Sequence, residues 1–141
     1  MKYSDIKYAL DTCILSSLIV HNSRILKTRL EMAVEKGHKV IIPPTVYYKF
    51  RSFLRRLGDS AQIKAFTDFC LKFSVGEMNI AAWECAAELS ASDIYDANKN
   101  ISSETDCMTA AFCIVNGCTL ITDKTSEYSG ILMLSLENWL E

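Results

Sequence analysis

Four carboxylates lie where they could serve one site: Asp11 in ALDTCIL, Glu104 and Asp106 in SSETDCMTAAFC, and Asp123 in TLITDK. Each also has a plain structural explanation. Asp11 directly follows an apolar run and suits a helix N-cap, and Asp123 suits a turn. Ser103-x-x-Asp106 reads as a capping box, with acids in the first helical turn. Taken jointly, the four say more. Several carboxylates gathered at one place repel each other unless a cation intervenes. An all-oxygen ligand set that retains water favours Mg²⁺ or Mn²⁺, and such an ion typically activates water against a phosphodiester. No rival chemistry is legible: no phosphate-binding glycine loop and no nucleophile triad occur. The acids Glu84, Glu88, Asp93 and Asp96 read as a solvated helix face.

Lys49, in IIPPTVYYKFRSFL, is the residue that disturbs this picture. On a helical wheel Val46, Phe50, Phe53, Leu54 and Leu57 form an apolar stripe, with Lys49 on its border. It either snorkels to solvent or aims its ammonium at the acids, pairing with Asp11 and Asp106 and balancing their charge. The same segment carries Arg51, Arg55 and Arg56 beside Tyr47 and Tyr48. Tyrosine and arginine are common interface anchors, so these arginines are candidates for binding RNA or a protein partner. The plainer alternative is core packing for Phe53 and solvation for the arginines.

The elements that must position these groups alternate in period. Strands are predicted at 6–10, 40–42, 74–80, 118–122 and near 131–134. Helices are predicted at 12–20, 23–36 (closed by Gly37), 45–57 (with Thr45 as N-cap), 60–72, 81–98 and 103–116. Strands separated by helices imply parallel pairing, hence a three-layer α/β/α sandwich with a mainly parallel central sheet. In such folds ligands gather beyond the carboxyl ends of the strands, and Asp11 and Asp123 are placed there. The run AAFC is small enough to let its helix approach the sheet, bringing Glu104 and Asp106 alongside.

At 141 residues the chain is expected to be a single domain spanning 1–141. A net charge of −2 excludes an overall field that attracts nucleic acid, so RNA would need a local basic patch. The segment MKYSDIKYAL lacks an apolar signal core and no run approaches a membrane span, so a cytoplasmic location is expected. The six cysteines include no C-x-x-C pair, which favours buried reduced thiols over zinc.

LDTCIL, IIPPTVYY, ETDCMTAAFC, TLITDKTSEY and LENWL, in this order and spacing, resemble a PIN domain of the VapC toxin type over nearly the whole chain, from about Ile6 to Leu140. The resemblance implies an Mg²⁺- or Mn²⁺-dependent endoribonuclease. It also implies a homodimer and a cognate antitoxin encoded beside the toxin. Carried over by position, Asp11 matches the family's first acid and Asp106 the acid of the later helix. Glu104 matches the acid often found two residues earlier, and Asp123 lies at, or one residue from, a strand-end Asp or Asn. Asp11, Asp106 and Asp123 would then be catalytic and, with Glu104, hold the metal. Where the family has a glutamate, this chain has Lys49. A positive charge about 4 Å from a divalent ion costs roughly 8 kcal/mol at an effective dielectric near 20, before relaxation. The reading is therefore a ribonuclease impaired by Lys49. The alternative is a catalytically silent PIN domain that binds RNA or antitoxin. A receiver-like phosphotransfer protein fits the later acids less well.

Overall fold

Two hydrophobic cores, one on each face of a parallel sheet, define the architecture of the computed structural model, which describes residues 6–92 and 104–140. The strands are β1 (Lys7–Leu10), β2 (Lys39–Ile42), β3 (Ser74–Val75), β4 (Cys118–Ile121) and β5 (Ser135–Glu137). Between them lie α1 (Thr12–Ile19), α2 (Arg24–Glu35), α3 (Pro44–Leu57), α4 (Ser60–Lys72), α5 (Ile80–Ala91), α6 (Glu104–Asn116) and α7 (Thr125–Tyr128). The sheet order is β3-β2-β1-β4-β5, and every pairing is parallel. This is the α/β/α sandwich implied by the alternation of the sequence.

Side-chain alternation along the central strands explains the two cores. Leu10, Val40, Ile42 and Ile121 point to one face and pack with Leu15, Leu26, Phe50, Leu54 and Phe66 from α1 to α4. Ala9 and Leu120 point to the other and pack with Ala110, Phe112 and Cys113 of α6 and Tyr128 of α7. Strands buried on both faces must read as continuous apolar runs, as YAL, VII and TLI nearly do. Ala110 and Ala111 are fully buried, consistent with a small-residue face that brings α6 close to the sheet.

The chain moves outward from β1 to β2 in one direction and from β4 to β5 in the other. The crevice beyond the carboxyl ends of β1 and β4 is therefore the topological switch point of the sheet.

Several boundaries differ from the sequence expectation. Thr45 is not an N-cap: α3 starts at Pro44, with Pro43 before it and no side-chain cap. Proline is pre-organised for a first helical turn and needs no amide partner there. The Thr45 hydroxyl is free to bond the Thr109 hydroxyl at 2.6 Å, tying α3 to α6. The last strand lies at Ser135–Glu137, not near 131–134. Met133 has φ 70°, a left-handed conformation that interrupts the apolar run ILML, and Leu132 and Met133 are exposed. On α3 only Val46, Phe50 and Leu54 are fully buried, so the stripe is narrower than the wheel suggests, with Phe53 and Leu57 exposed. The capping-box residue Ser103, the segment beyond Ser92 read as helix, and Asp93 and Asp96 lie outside the described residues. Glu84 and Glu88 are solvated on α5. Among the described residues no helix is long and apolar enough to cross a membrane.

Candidate functional site

Asp11 occupies the first position beyond β1. Its amide donates to the Ile121 carbonyl at 3.0 Å, extending the β1–β4 pairing by one bond and setting Asp11 beside Thr122. Both carboxylate oxygens are satisfied locally. Oδ1 accepts from the Thr12 amide at 2.8 Å, so Asp11 does cap α1, and Oδ2 accepts from the Thr122 hydroxyl at 2.8 Å. The cap and the site are one geometry. Asp11 is only 2 % exposed, and burial pushes its pKa up. The bonds from Thr122 and Thr12 and the charge of Lys124 pull it down, and Asp106 adds to the rise.

Asp106, in the first turn of α6, is buried and faces two ammonium groups. Lys49 Nζ lies 3.8 Å from its Oδ1 and Lys124 Nζ 3.4 Å from its Oδ2. Both lysine side chains are about one-third exposed, at 34 %, so their stems are covered while their heads reach the crevice. Lys124 is set by its backbone, whose amide donates to the Thr122 hydroxyl at 3.0 Å. Thr122 thus fixes Asp11 through its proton and Lys124 through its lone pair. Burial works against the charge of Lys124, but the fields of Asp106 and Asp11 prevail and its pKa is raised. The Tyr128 phenol is buried beside this group; desolvation first, then the charges of Asp11 and Asp106, raise its pKa and keep it protonated.

The two remaining acids are exposed. Glu104 is exposed and lines a cavity of about 230 Å³ with Trp83, Ala86, Cys107 and Met108 of α5 and α6. Two residues along a helix turn a side chain by about 200°, so Glu104 and Asp106 point apart. Asp123 is exposed on the parity of Ile121, toward α1, where its influence falls on Cys13. Burial, above all, pushes the Cys13 thiol up to about 12. All six cysteines are free.

Sequence reasoning missed Thr122 and Lys124. Strand parity was the available signal: Thr122 shares the face of Leu120, which packs toward α6, whereas Asp123 shares the face of Ile121. The one-residue uncertainty around Asp123 concealed a change of charge, because the group that reaches Asp106 is Lys124.

A divalent metal does not fit this donor set. Among the described residues no three His, Cys, Asp or Glu side chains are grouped so as to hold an ion. Asp106 instead faces two ammoniums, one of which, Lys124, also feels the charge of Asp11. At about 4 Å each ammonium would oppose a divalent ion by roughly 8 kcal/mol at an effective dielectric near 20. A protonated lysine offers no lone pair in return.

A second feature lies on α3. Tyr47, Tyr48, Arg51, Ser52, Arg55 and Arg56 border a groove of about 440 Å³. Arg51 is committed within the fold: its guanidinium stacks on Tyr47 and Phe66 at 5.2 and 4.8 Å and donates to the Thr67 hydroxyl at 2.9 Å. Arg55 and Arg56 are exposed, as is Tyr48 at 69 %.

The model of the PIN domain family matches residues 8–125. No curated protein matches the chain in sequence. Among solved structures the fold is similar to VapBC2 of Rickettsia felis bound to a DNA fragment from its promoter, with TM-score 0.84 and 21 % identity over 95 % of this chain and 99 % of that one. VapBC-1 of nontypeable Haemophilus influenzae gives 0.80 and 16 % over 96 % and 100 %. A toxin–antitoxin complex of Klebsiella pneumoniae gives 0.70 and 17 % over 94 % and 97 %. At these identities the likeness is one of fold.

Proposed function

Because this chain belongs to the PIN domain family, we propose that it is a VapC-type partner of a toxin–antitoxin pair that works by binding, with the metal-dependent cleavage of RNA suppressed in its site. The observation that carries this reading is the pair of ammoniums on Asp106, from Lys49 and Lys124. A hydrolytic PIN site needs a cation between its acids to activate water. Here lysine side chains already balance Asp106, and the expected ligands Glu104 and Asp123 are exposed. The notion of Lys49 as the single impairing residue is thereby widened to two positions.

The antitoxin partner is supported by the toxin–antitoxin complexes among the similar folds. The groove on α3 is the surface suited to it. Tyr48 supplies apolar area, and Arg55 and Arg56 supply charge for an acidic, amphipathic segment. The same arginines could hold RNA phosphates without cutting them. A homodimer and a cytoplasmic setting complete the reading as the resemblance implies it.

Calorimetric titration of the purified chain with Mn²⁺, paired with a fluorogenic RNA assay, tests the proposal. The expected result is neither saturable metal binding nor cleavage above that of an Asp106→Asn variant. Mn²⁺-dependent cleavage that Asp106→Asn abolishes would overturn it, and would mean that both lysines swing out to solvent.

A further inference from the structure

Two buried carboxylates at the end of one sheet need a positive charge in the folded state, and in this chain that charge is covalent. We infer that Lys49 and Lys124 together are a built-in counter-ion for Asp11 and Asp106, so that the crevice is closed to divalent metal by two residues and opens only when both are exchanged. The inference deepens the binding-only reading given above and rests on it.

The division of labour follows from the anchoring of each group. Asp11 is held by the Thr12 amide and the Thr122 hydroxyl. Asp106 is held between ammoniums that approach its two oxygens separately, at 3.8 Å from α3 and 3.4 Å from the segment after β4. These lysines come from opposite layers. α3 packs in the core that contains Leu10 and Ile121, and the segment carrying Lys124 leads into α7, which packs in the core that contains Leu120. Asp106 therefore ties the two layers across the top of the sheet. The contact is backed by the bond between Thr45 of α3 and Thr109, one helical turn after Asp106. Exchange of Lys49 alone leaves Lys124 on Asp106 Oδ2, and exchange of Lys124 alone leaves Lys49 on Oδ1. Either remaining ammonium repels an incoming ion. Replacement of both with acids removes the repulsion and adds oxygen donors beside Asp11 and Asp106, a set of the kind that Mg²⁺ and Mn²⁺ accept.

The test compares the natural chain with Lys49→Glu, Lys124→Asp and the double variant, by thermal melting and by the electron paramagnetic resonance signal of free Mn²⁺. Without metal, both single variants should melt below the natural chain and the double variant lowest. With millimolar Mn²⁺ the double variant alone should regain about 5–10 °C, as a ligand of the folded state requires. It should also deplete the free-ion signal with a Kd at least about tenfold tighter than any other form. If the double variant is too unstable to purify without metal, Lys49→Gln/Lys124→Gln supplies the test, since it removes the charge without adding acids. That variant too should melt below the natural chain. Equal melting of the charge-removed variant and the natural chain would overturn the counter-ion role. A folded double variant blind to Mn²⁺, or a single variant that binds it as well, would overturn the two-residue closure. Mn²⁺ binding by the natural chain is a separate outcome, and it overturns the binding-only reading and this inference together.

Discussion

Thr122→Val removes one hydroxyl from the site and nearly preserves shape. The threonine is fully buried and donates at 2.8 Å to Asp11, itself 2 % exposed. A hydrogen bond to a charged group contributes about 1.5–3 kcal/mol, and loss of the neutral bond from the Lys124 amide adds about 1. A total near 3 kcal/mol corresponds to a fall in Tm of about 8–12 °C for a chain of this size. The pH dependence identifies the cause. Burial raises the folded pKa of Asp11 above its unfolded value of about 3.9. Ionised Asp11 therefore opposes folding: the penalty is absent below the unfolded pKa, grows as pH rises through the raised folded one, and is complete above it. Deleting the donor raises the folded pKa further, so variant and natural chain should diverge toward pH 7 and approach each other near pH 3.5. There both lost bonds are neutral ones, at about 1 kcal/mol each, and the extra contribution from the charge of Asp11 is gone. Urea unfolding at both pH values measures this, with Thr122→Ser as the control that keeps the hydroxyl. An equal loss at the two pH values, or a loss below about 0.5 kcal/mol at pH 7, would refute the argument that Thr122 sustains a buried carboxylate.

The arginines of α3 should separate by role. Arg51→Ala, which removes stacking on Tyr47 and Phe66, should cost about 1 kcal/mol of stability in chemical unfolding. Arg55→Glu/Arg56→Glu should leave unfolding within about 0.5 kcal/mol, yet weaken binding to the antitoxin segment proposed above. Gly76→Ala should destabilise by about 1–3 kcal/mol in the same measurement, since a Cβ there would meet the Phe112 ring edge and force the core of α6 to shift.

Much of the fold was legible because local physics and tertiary structure agree. Apolar runs buried on both faces had to be parallel strands. Gly37, Gly58 and Gly117 stand at left-handed positions after helices, as a C-terminal cap requires. The strand read at ILML failed because an apolar run carries no information about a left-handed turn at Met133. At the site, strand-end position pointed to Asp11 and Asp123 alike, and the small-residue helix to Glu104 and Asp106 alike, without choosing within either pair. The partners of Asp11 and Asp106 were legible only in part. Lys49 was visible as an anomaly, but its direction depends on how α3 leans across the sheet toward α6. Lys124 and Asp123 are sequence neighbours, and only the path of the chain after β4 decides which of them reaches the crevice. Sequence determined which charges exist and roughly at which end of the sheet they lie. Tertiary structure decided their signs at contact distance, because a one-residue change of parity exchanges a carboxylate for an ammonium.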